Sequence, residues 1–163
     1  MTEPSGGSEI FCPLPDPKLG VRTTAVRKGD EYVLNGTKCF ISNGGIAKIY
    51  LVLARTDKNV PNTQGCSIFI VPEKTPGLSF GKLESKMGHR LSSVREVVFE
   101  DVHIPERYRI GDEGEGARIL FECYEGNGVG VGSSAVGLSR AAYDAALAYS
   151  GERIIWGQPI NQY

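Results

Sequence analysis

Between Val21 and Val102 the chain alternates short apolar runs with glycine, proline and polar clusters. The turns recur about every 8–12 residues, which predicts a sandwich or a barrel. Val21–Arg27 reads as a strand, Lys28-Gly29-Asp30 as a turn and Glu31–Leu34 as a short strand. Asn35-Gly36 tolerates positive φ at both positions and predicts a hairpin, with Thr37–Ser42 as the returning strand. Ile49–Ala54 (IYLVLA) is apolar without a break, which predicts a strand covered on both faces. Ser67–Val71, Leu78–Leu83 and Arg95–Val102 complete a set of about seven to eight strands, separated by loops at Arg55–Gly65 and Lys86–Ser93.

After Gly111-Asp112 the period changes. Leu138, Ala141, Ala142, Ala145, Ala146 and Tyr149 recur at helical spacing, so Val129–Ser150 predicts a helix that continues back to Gly116. Gly126, Gly128, Gly130 and Gly132 each cost such a helix about 1 kcal/mol relative to alanine. They predict either close neighbours or a break. The expected architecture is mainly β, a barrel- or sandwich-like domain over residues 1–112, followed by residues 113–163 as the start of a truncated helical domain that opens with this long helix.

Composition narrows the function classes. Apolar residues make up 40% and charged residues 23%, ordinary for a globular protein. Lys and Arg number 18 against 19 Asp and Glu, so no basic surface points to nucleic acid. No apolar run is long enough to span a bilayer, and no signal peptide is visible, which predicts an intracellular protein. The four cysteines, Cys12, Cys39, Cys66 and Cys123, have no CxxC spacing, and the two histidines, His89 and His103, lack metal-ligand spacing. No metal site is expected.

Two stretches carry candidate chemistry. The opening, Met1–Ser8, has hydroxyls at Thr2 and Ser8 around a bend made by Pro4, Gly6 and Gly7. Glycines without a Cβ let the backbone turn and let a flat ligand approach. The second stretch, Lys38–Gly45 (KCFISNGG), ends a strand in an aromatic, a hydroxyl and Asn-Gly-Gly. Residues two apart share a strand face, so Phe40 and Ser42 together offer an apolar wall and a hydrogen-bonding hydroxyl. A tricyclic flavin needs that combination.

With these motifs in view the chain resembles the acyl-CoA dehydrogenase family. TEPSGGSE (Thr2–Glu9) is similar to that family's TEPxxGSD, and LNGTKCFISNGG (Leu34–Gly45) to LNGxKxWITNG. PGLSFGKLESKMGHRLSS (Pro76–Ser93) resembles PGxxxGxxExKMGxRxSxT, and VVFEDVHIP (Val97–Pro105) resembles FEDVxVP. ERIIWGQPI (Glu152–Ile160) resembles ERxxFGxPI. The order of the stretches is the family's order, and they cover nearly the whole chain.

The resemblance implies FAD as cofactor and an acyl-CoA thioester as substrate, with α,β-dehydrogenation as the reaction. It implies an electron-transferring flavoprotein as redox partner, a homo-oligomer, and a mitochondrial-matrix or bacterial-cytoplasmic location. Thr2 would contact the flavin's pyrimidine edge, Ser42 would hydrogen-bond a ring nitrogen, and Phe40 would pack on the ring where the family usually has Trp. Arg153, with Trp156 and Gly157, would touch the FAD diphosphate of a neighbouring subunit. Arginine suits that role because its planar fork pairs with phosphate oxygens. Ser8 and Glu125 would contact the CoA portion of the substrate.

The chain also departs from the pattern. The position of a family base on the first long helix is Asn127 here, and the family's CoA-pairing Arg aligns with Gly128. The proline-bearing stretch Glu9–Gly20 is longer than usual. No catalytic base is assigned within the chain; it is expected beyond Tyr163. The chain is therefore read as a segment of such an enzyme, inactive alone. The alternatives are a non-catalytic scaffold of the same family or an acyl-CoA oxidase. A dinucleotide-binding reading of Gly130-x-Gly132-x-x-Ala135 fails because no βαβ unit surrounds it.

Overall fold

A computed structural model describes residues 2–7 and 20–163. Met1, Ser8 and most of the proline-bearing stretch lie outside the described residues. Seven strands form one sheet: β1 Thr24–Lys28, β2 Glu31–Ser42, β3 Ile49–Arg55, β4 Cys66–Pro72, β5 Leu78–Leu83, β6 Val94–Pro105 and β7 Arg109–Ile110. Their order across the sheet is β5-β6-β2-β1-β3-β4-β7. A single turn, α1 Asn62–Gly65, precedes β4, and a long helix, α2, runs from Gly116 to Glu152. A two-stranded hairpin follows, β8 Ile154–Ile155 and β9 Gln158–Pro159. The expectation of a mostly β domain followed by a long helix is met.

The sheet has two halves. β1, β2, β5 and β6 pair antiparallel, as do β3, β4 and β7. The halves meet at one parallel pair, Thr24 with Arg55, beside a hydrogen bond from the Arg55 amide to the Thr23 carbonyl at 2.7 Å. Side chains from both halves nonetheless share one core. Tyr32, Leu34, Val97, Phe99 and Ile104 from β2 and β6 join Tyr50, Val52, Phe69 and Val71 from β3 and β4. The rings of Tyr32 and Phe69 sit 4.8 Å apart at its centre. Burial at roughly 25 cal/mol per Å² of apolar surface makes this core the main stabilising term.

Three expectations are corrected. Asn35-Gly36 is not a hairpin turn. β2 runs straight through it, and the hairpin lies at Gly29-Asp30, where Lys28 pairs with Glu31 and Gly29 has φ 62°. Asn35-Gly36 instead marks a register shift against β6. The Asn35 side chain exchanges two hydrogen bonds with Asp101, at 3.0 and 2.9 Å. Gly36 has φ 147°, and a Cβ there would come within 2.7 Å of Thr23 Cα. Local turn chemistry lost to a cross-strand contact that only glycine permits.

The second correction concerns β3. Its first half is open on one face, since Ile49 and Leu51 are 59% and 67% exposed. The third concerns α2, which passes through Gly126, Gly128, Gly130 and Gly132 without a break. Among the described residues nothing lies within 4 Å of a Cβ placed at Gly126, Gly128 or Gly132.

The chain divides into two compact units, Met1–Leu120 and Phe121–Tyr163. The first turn of α2 belongs with the sheet. Gly114 donates its amide to Ser67 Oγ at 2.9 Å, and Ala117 packs with Val21, Leu53, Cys66 and Ile68. A Cβ at Gly116 would meet the Cys66 carbonyl at 2.8 Å, so glycine allows the helix to start against β4.

Candidate functional site

The end of β2 carries the first part of the candidate site. Lys38 pairs with Val97 on β6, and the ladder resumes only at Ile41 with Arg95. Cys39 and Phe40 form the bulge between them. Phe40 has φ 57°, a left-handed conformation that costs an aromatic residue on the order of 1–3 kcal/mol. The residue is 67% exposed. The pleat argument that puts residues two apart on one face is therefore interrupted at Phe40. Ser42, two residues on, is exposed as well.

The turn that follows is built by its own backbone. Asn43, at φ 61°, donates its amide to the Ser93 carbonyl at 2.8 Å, and its own carbonyl accepts from Ile46 and Ala47. The Gly45 amide donates to the Tyr50 hydroxyl oxygen at 2.9 Å. Gly44 is buried, with Arg95 Cβ only 3.1 Å from where its own Cβ would stand. Asn-Gly-Gly thus holds the strand end close against β6 and β3.

The opening bend is attached at this same place. Glu3 and Gly6 exchange backbone hydrogen bonds at 2.8 and 3.2 Å and close the turn over Pro4-Ser5. The Thr2 carbonyl accepts from the Cys39 amide at 2.9 Å, a donor that the bulge leaves without a β6 partner. The structure therefore brings Thr2, Phe40 and Ser42 to one end of β2. Ser8 lies outside the described residues.

A buried ion pair underlies this attachment. Lys38 Nζ lies 2.6 Å from Glu3 Oε1, with the two side chains 3% and 4% exposed. Glu3 Oε1 also accepts from the Thr23 amide at 2.9 Å and the Thr23 hydroxyl at 2.6 Å, while Oε2 accepts from the Arg22 amide at 2.7 Å. Burial pushes the Glu3 carboxyl up, but the charge of Lys38 and the hydrogen bonds from Lys38 and Thr23 outweigh it. They hold the group below the ordinary carboxylate range.

Neither Glu3 nor Lys38 was singled out from the sequence. One signal existed. Lys38 falls in the same alternating series as Tyr32 and Leu34, which point into the core, and a lysine there demands a carboxylate. Which carboxylate, 35 residues away, the pattern could not say.

The second group of expected residues lies in the other unit. Trp156 and Gly157 form the two-residue turn between β8 and β9, with φ 49° and 88°. Positive φ at both positions is the requirement of a type I′ turn. Trp156 is 91% exposed and meets the Tyr163 ring edge to face, ring centres 6.0 Å apart. Arg153, exposed, starts the hairpin, and its carbonyl accepts from the Ile160 amide at 2.9 Å. Glu125 and Asn127 are exposed on α2.

The thiols offer no competing chemistry within the sheet. Cys39 and Cys66 are buried, and burial pushes the Cys66 thiol up to about 11, so it stays protonated and inert near neutral pH. Among the described residues no cluster of His, Cys, Asp or Glu could hold a metal ion.

Comparison with known proteins places the chain in a family. Residues 1–102 match the family described as acyl-CoA dehydrogenase, middle domain. The chain belongs to the acyl-CoA dehydrogenase family. The NADH-dependent acryloyl-CoA reductase of Anaerotignum propionicum is 42% identical over 162 residues, 98% of this chain. The chain spans only 39% of that relative's length. A chain from the structure described as the electron transferring flavoprotein of Acidaminococcus fermentans superposes with a TM-score of 0.85 at 42% identity. That match covers 99% of this chain and 40% of the other. A glutaryl-CoA dehydrogenase from Mycobacterium smegmatis, in complex with FADH2, superposes with a TM-score of 0.83 at 31% identity, covering 99% of this chain and 38% of its own.

As an acyl-CoA dehydrogenase family member, the chain places its TEP and KCFIS stretches against one another through Thr2–Cys39 and Glu3–Lys38. Its RIIWGQPI stretch forms the exposed hairpin. No described helix is long and apolar enough to cross a membrane.

Proposed function

We propose that the protein carrying this chain is an FAD-dependent acyl-CoA dehydrogenase, and that residues 1–112 supply the wall against which the flavin rests. The observation that carries this reading is Phe40, an aromatic held at positive φ and turned out to solvent beside exposed Ser42, with Thr2 tethered to the same strand end. A protein does not ordinarily keep such a backbone conformation without a use for it. A flat ring laid on Phe40 would remove apolar surface from water and offset that cost.

The bound flavin supplies a hydride acceptor. The chain's own residues orient it. The Ser42 hydroxyl would hydrogen-bond a ring nitrogen, and the Thr2 hydroxyl would meet the pyrimidine edge. Arg153 would pair with the diphosphate of a neighbouring subunit's FAD, with Trp156 and Gly157 beside it, in a homo-oligomer. Ser8 and Glu125 hold the CoA portion of an acyl-CoA. The carboxylate that removes the α-proton lies C-terminal to Tyr163, so residues 1–163 alone lack dehydrogenase activity. An electron-transferring flavoprotein would accept the electrons.

The test is titration of the full-length protein with FAD, followed by an acyl-CoA. Bound flavin with a shifted visible spectrum, bleached on adding acyl-CoA without oxygen, is the expected result. Ser42→Ala is expected to weaken binding and shift the spectrum. Absence of flavin binding would overturn the reading. A second reading, reduction of an enoyl-CoA, is favoured by the similarity to acryloyl-CoA reductase. Reoxidation of the reduced flavin by an enoyl-CoA, in the absence of acyl-CoA turnover, would select it.

A further inference from the structure

We infer that the buried Glu3–Lys38 pair is a positioning element, which sets the register of the opening bend on β2 and so fixes Thr2 and Phe40 relative to each other. Its consequence for ligand binding rests on the flavin reading above. The coupling itself does not.

Glu3 ties three segments through one carboxylate: its own bend, the lead into β1 at Arg22–Thr23, and β2 at Lys38. One residue back from Glu3 and one forward from Lys38 comes the bond between the Thr2 carbonyl and the Cys39 amide. One residue further is Phe40 at positive φ. Among the described residues the bend meets β2 through these two bonds, Glu3 with Lys38 and Thr2 with Cys39. Its own closure, Glu3 with Gly6, is local and gives no register on β2.

A slip of one residue would turn the Thr2 side chain to the opposite side. An apolar contact tolerates such a slip, whereas a charge pair at 2.6 Å in a dry interior does not. Buried ion pairs contribute little net stability compared with well-packed apolar residues, and their best-attested use is specifying register. The pair is buried, whereas Phe40 and Ser42, which the flavin reading uses, are exposed, so its effect on a ligand is indirect. Glu3 and Lys38 act through Thr2 and Phe40.

The experiment uses the full-length protein and two variants, Lys38→Met and the double variant Glu3→Gln/Lys38→Met. The double variant leaves no unpaired buried carboxylate and remains informative if the single variant does not fold. Ile104→Val, in the core on β6 and remote from the bend in sequence, serves as a control for general loss of stability. Amide exchange at Cys39 and the FAD dissociation constant are measured for each. Cys39 exchange is expected to accelerate at least tenfold and FAD to bind at least tenfold more weakly in the pair variants, with exchange at Val52 and Phe69 unchanged. Ile104→Val is expected to lower Tm without either change. Accelerated exchange with unchanged FAD affinity overturns the inference, as does weakened affinity with unchanged exchange. Changes that track the Tm loss of Ile104→Val overturn it too. If the wild-type protein binds no FAD, the flavin reading falls and Cys39 exchange alone decides the coupling.

Discussion

The sheet unit and the unit that follows it use apolar residues in opposite ways. In Met1–Leu120, Tyr32, Leu34, Phe69, Val71 and Ile104 are closed inside a core drawn from both halves of the sheet. In Phe121–Tyr163, Val129, Val131, Leu138, Tyr143, Leu147 and Tyr149 are all exposed. A helix gains most of its stability from packing its apolar stripe, not from propensity. The first unit thus carries its reason to fold within its own residues. The second carries an apolar surface whose stabilising partner is not in its own residues.

Mutations should report that contrast sharply. Phe69→Ala is expected to cost about 3–5 kcal/mol, enough to consume most of the stability of a domain this size, read as a collapse of the denaturation midpoint. In residues 1–163 alone, Leu138→Ala, a change of similar chemistry at a residue 74% exposed, should change stability by less than about 0.5 kcal/mol. Equal effects would mean that the two units do not differ as described.

Gly36→Ala comes next in size. The φ of 147° and the approach to Thr23 predict a loss of about 1–3 kcal/mol by chemical denaturation. The glycines of α2 predict the reverse. Gly132→Ala has open space around it and is expected to stabilise by about 1 kcal/mol or less.

A pH titration separates the units further. The folded Glu3 carboxyl titrates below its unfolded value, so its contribution is present above the unfolded value of roughly 4.3 and is lost as pH falls through the lowered folded one. The Tm gap between the wild type and Glu3→Gln should therefore be widest near neutral pH and close in acid. A gap that widens in acid would contradict the assignment. The smallest effect is chemical. In a Cys12→Ser background, exposed Cys123 should react with a thiol reagent in the native state. Buried Cys39 and Cys66 should react only after denaturation.

Much of the fold was legible because alternation and turn residues are local signals. Ser67–Val71 became β4 and Leu78–Leu83 became β5 nearly as read, and the helical spacing after Gly116 became α2. What escaped was set by partners distant in sequence. Asn35-Gly36 is a turn signal only until Thr23 and Asp101 arrive beside it. Ile49–Ala54 predicts a doubly covered strand, yet Ile49 and Leu51 are exposed, because an apolar run does not say what covers it.

The candidate site divides in the same way. The motifs at Thr2 and at Phe40–Ser42 were visible as residue types. That the first bonds to the bulge of the second through a buried charge pair was not visible, because no period links Glu3 to Lys38. The hairpin that displays Trp156 was likewise missed, its strands being two residues each.

The seam between the halves of the sheet has one more implication. Thr23 grips Glu3 with its amide and hydroxyl while its carbonyl receives the Arg55 amide, so the clasp on the opening bend and the stitch between the halves are one amino acid. Tugging at the amino end would load that stitch directly. In a single-molecule pulling trace the bend and the seam should rupture as one event.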